Sequence, residues 1–363
     1  MIRALGLGIL FAASLASSIL AQAMPKLDLH EGDFTISNFK FASGETLPQL
    51  RMHYTTLGKP ARDARGRVTN AVLILHGTGG DGHQFLLPRF AGVLFRPSGL
   101  LDPAHMYIIL PDDIGHGKSS KPSDGLRTHF PHYRYADMVA AEHALVVQGL
   151  KVDHLRLVMG TSMGCMHSFM WGESYPDFMD ALMPLACLPV PIVGRNRLWR
   201  AMIADAIRED PAWDGGDYKT EPTEALRTAA NILLIAGSAP LPMQSSLATR
   251  DAVDKYLGEV QAHEMKVLDA NDILYAFESS EDYDPSGELG RIAAPMIWIN
   301  SADDFINPPE LGIAEREVTK IRNGRFVLIP ASTDTHGHGT HTWAVIWQSH
   351  LADLLKETAR QQQ

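Results

Sequence analysis

The sequence predicts an α/β fold, with a mostly parallel central sheet, helices on both faces and a helical cap inserted into it. Three observations carry that expectation. Residues 71–75 and 106–110 are continuous apolar runs and 155–159 is nearly one, as parallel strands buried on both faces require. A helical segment at 135–150, with Met138, Ala141, Ala144 and Leu145 on one stripe, lies between the last two runs. A long stretch, 187–290, then reads as helix with no convincing buried strand.

Taken in order, the chain begins with one charge, Arg3, before Lys26, and an apolar run over 4–20. The run ends in Ala21-Gln22-Ala23, the small-x-small pattern of a signal peptidase site. A cleavable leader over 1–23, cut after Ala23, is expected, with a periplasmic or secreted product. The run is marginal for a full membrane span, so no stable membrane insertion is expected after cleavage. Residues 34–41 and 51–54 alternate loosely, as in a hairpin at a sheet edge. The three apolar runs follow, and strand, helix, strand in that order implies right-handed crossovers. Further runs at 181–185, 295–300 and 326–329 continue the sheet. Cap helices are expected at 197–208, 223–235, 249–262 and 271–277, and a closing helix at 341–358. The expected division is a first core part at 24–186, the cap at 187–290 and a second core part at 291–363.

Composition narrows the function classes. Of 363 residues, 45% are hydrophobic and 20% charged, with 13 Phe, 9 Tyr and 6 Trp, which excludes a disordered or low-complexity chain. A net charge of -10 argues against a nucleic-acid partner. The two cysteines, Cys165 and Cys187, are too few for a metal site or a disulfide framework. They could pair in an oxidising compartment, but buried free thiols are the preferred expectation.

The chemistry concentrates at three places. Gly160-Thr161-Ser162-Met163-Gly164 stands directly after an expected strand and before a helical stretch at 165–175. This G-x-S-x-G pattern in strand–turn–helix context is a nucleophile elbow, and it makes Ser162 the candidate nucleophile. A serine hydroxyl needs a base and an orienting acid, which follow in the order Ser, Asp or Glu, His. The loop after 295–300 offers Asp303 and Asp304, which compete for the acid. Thr335-His336-Gly337-His338-Gly339-Thr340-His341 offers three histidines for the base. Their H-x-H-x-x-H spacing also suits a metal, but no carboxylate or thiolate cluster completes it locally, so no metal is expected. An oxyanion hole would take the amide of Met163 and that of Thr78, in the loop His76-Gly77-Thr78-Gly79-Gly80-Asp81-Gly82. The same loop matches G-x-G-x-x-G, a dinucleotide fingerprint. Pro88 and Pro97 spoil the helix that reading needs, so no cofactor is expected. Gly115-His116-Gly117-Lys118-Ser119 lacks the first glycine of a phosphate loop, with Asp112 in its place.

Over about 34–355 the chain resembles the homoserine O-acetyltransferase-like branch of the α/β-hydrolase superfamily. The resemblance rests on Asn70-Ala-Val-Leu-Ile-Leu-His76, Asp137-Met138-Val139, and Gly160-Thr-Ser-Met-Gly-Cys-Met166. It extends to Asp210-Pro-Ala-Trp-Asp-Gly-Gly-Asp-Tyr218 and Leu268-Asp-Ala-Asn-Asp-Ile-Leu-Tyr275. It implies an α/β-hydrolase fold and an acyl-serine intermediate on Ser162. It implies Asp304 as the acid, four residues before Pro308, and His338, in the Gly337-His338 pair, as the base, with His341 the runner-up. Two departures stand out. The family's arginine for the homoserine carboxylate falls on Ala204, with Arg200 four residues away, and Cys165 stands where the family usually has glycine. An acyl-CoA-dependent transferase also needs a cytosolic cofactor, which an exported chain would not meet.

The expected function is an exported serine hydrolase cleaving a small-molecule carboxylic ester. The alternative is an acyltransferase using acyl-CoA, related to homoserine acetylation. Assembly into a homo-oligomer is compatible with either.

Overall fold

In the computed structural model the described residues are 26–360. The expected leader and the cut after Ala23 lie outside them. Among the described residues no helix is long and apolar enough to cross a membrane.

The strands are β1 (Leu29–Lys40), β2 (Thr46–Leu57), β3 (Ala71–Leu75), β4 (Tyr107–Pro111), β5 (Leu157–Thr161), β6 (Leu182–Leu185), β7 (Met296–Ser301) and β8 (Gly324–Ile329). They form one eight-stranded sheet in the order β1-β2-β4-β3-β5-β6-β7-β8. β1 and β2 form an antiparallel hairpin and β2 runs antiparallel to β4; all other neighbours are parallel. The hairpin is longer than its alternation suggests, 12 residues per strand. β1 is an edge strand in which Phe34, Ile36 and Phe39 pack against the core while most of the remaining residues are exposed, so most of it carries no apolar signal.

The helices are α1 (Ala91–Leu94), α2 (Tyr135–Ala144), α3 (Met163–Ser174), α4 (Gly194–Glu209), α5 (Thr223–Ala236), α6 (Pro240–Ser246), α7 (Arg250–Glu264), α8 (Ala270–Glu278), α9 (Ile313–Glu317) and α10 (Ala344–Arg360). The expected helix at 135–150 ends at Ala144 and continues as one wide turn, Leu145–Gly149. The closing helix starts at Ala344 because Gly337–Thr342 forms a tight 3-10 turn.

Every residue of β3, β4, β5 and β7 is buried, because helices cover both faces. The period of two divides them between two cores. Leu73, Leu75, Ile109 and Val158 pack with Met138, Phe169 and Trp171 from α2 and α3. Val72, Ile74, Ile108 and Met159 pack with Phe90, Trp347 and Leu351 on the opposite face. Between β6 and β7, helices α4, α5 and α8 build a third apolar cluster around Trp199, Ile203, Leu226, Leu274 and Phe277. Ile306, from the loop after β7, packs against that cluster. A cavity bounded by these helices and by the loops after β3, β5, β7 and β8 lies at the carboxyl edge of the sheet, where open α/β sheets bind ligands.

Candidate active site

The strand-to-helix turn between β5 and α3 is tight enough to force Ser162 to φ 56°, ψ -111°, outside the regions an L-residue prefers. The flanking glycines permit this. A Cβ on Gly160 would run into the carbonyl oxygen of Gly164, and one on Gly164 into that of Leu75. The turn is pinned by hydrogen bonds from Ser162 N–H to Leu185 O and from Gly164 N–H to His76 O, both 2.9 Å. Met163 opens α3, and the first N–H groups of a helix have no intrahelical acceptor.

Two further loops bring groups to the serine. Asp304 follows β7 and is 2% exposed. Its Oδ1 accepts from Ile306 N–H at 2.7 Å and Asn307 N–H at 3.1 Å, and its Oδ2 from Asn307 Nδ2 at 3.0 Å. The remaining approach to Oδ2 is taken by His338 Nδ1 at 2.9 Å. The other ring nitrogen, His338 Nε2, lies 2.8 Å from Ser162 Oγ. Burial opposes ionisation of Asp304, but the His338 ring and the Asn307 donors outweigh it and hold the carboxyl below its ordinary range.

The competing residues find other partners. Asp303 accepts from Thr335 Oγ1 at 2.7 Å and Gly337 N–H at 3.1 Å, so it anchors the histidine loop and does not face His338. His336 stacks on Trp343, with ring centroids 4.0 Å apart. His341 is half-buried and edge-on to His338 at 5.3 Å, and desolvation together with the His338 charge holds it well below the usual histidine range. The three histidines of the H-x-H-x-x-H run therefore point to different partners.

Thr78 and Met166 line the same cavity as Ser162. Gly77 stands so close that a Cβ there would lie 3.2 Å from Ser162 Cβ. The loop carrying Thr78 is held from behind by two buried histidines. His76 Nδ1 donates to Gly77 O at 2.9 Å while its Nε2 accepts Asp113 N–H at 3.0 Å. His116 Nε2 lies 3.0 Å from Thr78 O and its Nδ1 3.0 Å from Ile114 O, while burial pushes this ring down to about 3. The loop after β3 enters a short 3-10 turn, Gly82–Leu86, instead of a long helix, and Asp112 Oδ2 is occupied by Lys118 N–H at 2.8 Å.

The cavity over Ser162 has a volume of about 190 Å³. A larger and more open groove of about 840 Å³ lies beyond Met166 and Ile306, but Ser162 does not line it. Among the cavity walls is Arg200, 3% exposed, which donates from Nε to Asn196 Oδ1 at 2.9 Å and from Nη1 to Ser280 Oγ at 3.2 Å. Its guanidinium also lies over the rings of Trp199 and Phe277. No carboxylate among the described residues reaches ion-pair distance. Ala204, the position matching the family's arginine, is buried in the cap cluster and does not line the cavity.

Several contributors were not read from the sequence: Asn307, His116 and a buried group of Asp113, Glu142 and His167 beneath the elbow. In that group His167 Nδ1 lies 2.8 Å from Glu142 Oε1, and Trp171 Nε1 donates to Glu142 Oε2 at 2.5 Å. Asn307 lies in the loop that carries Asp304, and His116 in the Gly115–Ser119 segment, so adjacency to these segments is the signal the sequence offers.

The cysteine expectation is corrected. Cys165 and Cys187 are joined by a disulfide, with Cα atoms 5.8 Å apart. The reason is topological. β5 and β6 are parallel neighbours, so the first turn of α3 and the residue two beyond β6 emerge side by side at one sheet edge. A spacing of 22 residues conceals that adjacency.

Comparison with known proteins bears on the whole arrangement. The family model for the alpha/beta hydrolase fold matches residues 70–332. A probable acyltransferase of Methanothermobacter thermautotrophicus is 29% identical over 279 residues, 77% of this chain and 84% of that one. The homoserine O-acetyltransferase of Pelobacter propionicus is 27% identical over 350 residues, covering 85% and 91%. The solved acetyl esterase MekB superposes with a TM-score of 0.78 at 23% identity, covering 90% of this chain and 97% of its own. The homoserine O-acetyltransferase of Bacillus anthracis gives 0.78 at 18%, with the same coverage. At these identities the structural likenesses show the fold.

Proposed function

The chain belongs to the alpha/beta hydrolase fold family, and from that footing we propose that it is an exported serine hydrolase cleaving a small carboxylic ester. The observation that carries the reading is the chain of contacts Asp304–His338–Ser162, at 2.9 and 2.8 Å. Ser162 Oγ attacks the ester carbonyl as His338 Nε2 takes its proton. Asp304 keeps the ring turned with Nδ1–H towards itself and balances the imidazolium charge. The oxyanion is met by the amides of Met163 and Thr78, one at the first position of α3 and one in the loop beside Gly77. His338 then returns the proton to the leaving alcohol, and a water, deprotonated by the same ring, releases the acid.

A cavity of about 190 Å³ suits a short acyl group. Export is supported by the leader pattern and by a disulfide beside the elbow, since such bonds persist in oxidising compartments. The second reading, acyl transfer from an acyl-CoA, is favoured by relatives that carry the homoserine O-acetyltransferase name. Transferase and hydrolase share the acyl-serine and differ in which acceptor reaches it.

The test is turnover of p-nitrophenyl esters of rising acyl length, run beside an acyl-CoA and amino-acid acceptor assay. The hydrolase reading expects hydrolysis of the shortest esters and its loss in Ser162→Ala. Intact turnover in that variant refutes the mechanism, and acyl transfer far faster than hydrolysis selects the second reading.

A further inference from the structure

The disulfide lies between two parts of the proposed triad. Cys165 is three residues past Ser162, in the first turn of α3, and Cys187 directly follows Ala186. Ala186 has φ 66°, a left-handed conformation that is unfavourable for a non-glycine residue and persists only when its surroundings impose it. Its carbonyl accepts Asn307 Nδ2 at 3.0 Å. Asn307 in turn gives two hydrogen bonds to Asp304, from N–H to Oδ1 and from Nδ2 to Oδ2. Cys187 itself is fixed on both sides, its N–H donating to Asn300 Oδ1 at 3.2 Å and its carbonyl accepting Trp298 Nε1 and Asn300 Nδ2 at 3.1 Å. One covalent bond thus ties the helix that presents the serine to the segment whose strained carbonyl aims the amide that holds the acid.

We propose that the Cys165–Cys187 disulfide is a positioning element for Asp304, so that the chain reaches full activity only when oxidised. This rests on the hydrolase reading of Ser162, His338 and Asp304. With only two cysteines in the chain, the pairing has no competing intramolecular partner. The bond forms by exchange with an exported-compartment protein disulfide. One cysteine thiolate attacks that disulfide and releases one of its sulfurs as a thiol. The second cysteine then displaces the other, so two electrons and two protons leave the chain and the oxidant becomes a dithiol. Without the bond, the 186–187 segment loses its covalent tether to α3, and its hydrogen bonds to β7 do not by themselves keep Ala186 left-handed. Asn307 then loses its anchor, and Asp304 loses the partner that directs Oδ2 at His338.

The test compares the oxidised chain with the Cys165→Ala/Cys187→Ala and Cys165→Ser/Cys187→Ser double variants. It also uses wild type made in a reducing host, with thiols counted by alkylation and mass spectrometry. Circular dichroism checks folding; kcat and KM on p-nitrophenyl acetate and the rate of fluorophosphonate labelling are read separately. The forms lacking the disulfide, reduced wild type and both double variants, are expected to lose at least about 10-fold in kcat and labelling rate with KM within about 2-fold, since a misplaced catalytic group costs rate more than binding. Asn307→Ala, which keeps the disulfide, is expected to reproduce that loss. Forms without the disulfide that melt lower but keep kcat overturn the proposal, and so do two free thiols in protein from an oxidising host. If no form without the disulfide is recovered folded, undiminished kcat in Asn307→Ala overturns it. Oxidised wild type that neither labels nor turns over ester refutes the hydrolase reading instead.

Discussion

Asp304→Asn is a demanding perturbation because the surroundings of this carboxylate dictate which way the amide must turn. Oδ1 receives two backbone N–H groups, from Ile306 and Asn307, at 2.7 and 3.1 Å. Those donors belong to a tight loop and cannot rotate away. An asparagine has one oxygen, which therefore takes the Oδ1 position and sets its NH2 against His338 Nδ1. That nitrogen must then be the unprotonated one, which leaves the ring proton on Nε2, 2.8 Å from Ser162 Oγ. A ring already protonated there cannot accept the serine proton. The wrong tautomer alone is worth about 10⁴-fold in kcat, or about 5.5 kcal/mol in the barrier. The assay is steady-state hydrolysis of p-nitrophenyl acetate by wild type, Asp304→Asn and Asp304→Ala, with melting temperatures measured in parallel. Asparagine is expected to be no more active than alanine despite its matching shape. An asparagine variant that keeps more than about a tenth of wild-type kcat would refute the reasoning.

Other consequences follow from the same geometry. Burial pushes Glu142 from 4.5 up to about 7, so the folded chain keeps a proton there that the unfolded chain has released. Stability from this group therefore falls as pH rises from about 4.5 to 7, by roughly 3 kcal/mol at most. Glu142→Gln, which mimics the protonated form, should match wild type near pH 4.5 and melt roughly 4 °C higher near pH 8; parallel profiles in differential scanning calorimetry would contradict this. Gly164→Ala drives a Cβ into Leu75 O, where backbone must move, and is expected to give insoluble protein or a melting temperature lower by roughly 5 °C or more. An unchanged melting curve counts against the close packing of β3 on α3. Arg200 is a buried cation with only neutral partners in the cavity wall, so Arg200→Met should selectively reduce kcat/KM for esters bearing a free carboxylate, by about 10-fold or more, relative to uncharged esters. Equal losses on both classes would show that the guanidinium serves packing alone.

The parts of this protein legible in the sequence are those fixed by local physics. Residues 71–75 announce a buried strand because both faces are apolar, and 160–164 announce an elbow because only glycines tolerate the approach of Leu75 and Gly164 backbone. Asp304 and His338 needed more than local pattern. Asp303 is equally acidic and one residue away, and what separates them is the direction each side chain leaves the loop, which the resemblance resolved. The disulfide and the Glu142–His167 pair stayed hidden because each joins residues that only the parallel sheet and its covering helices bring together. The hairpin was half visible, since an edge strand covered on one side carries a weak alternation.

The most direct test of the central claim is the site of covalent labelling by a fluorophosphonate, read by intact mass and peptide mapping against residual esterase activity. A single adduct on Ser162 is expected, with hydrolysis lost in proportion to labelling and no adduct in Ser162→Ala. An adduct elsewhere, or ester turnover that persists after Ser162 is fully modified, would contradict it.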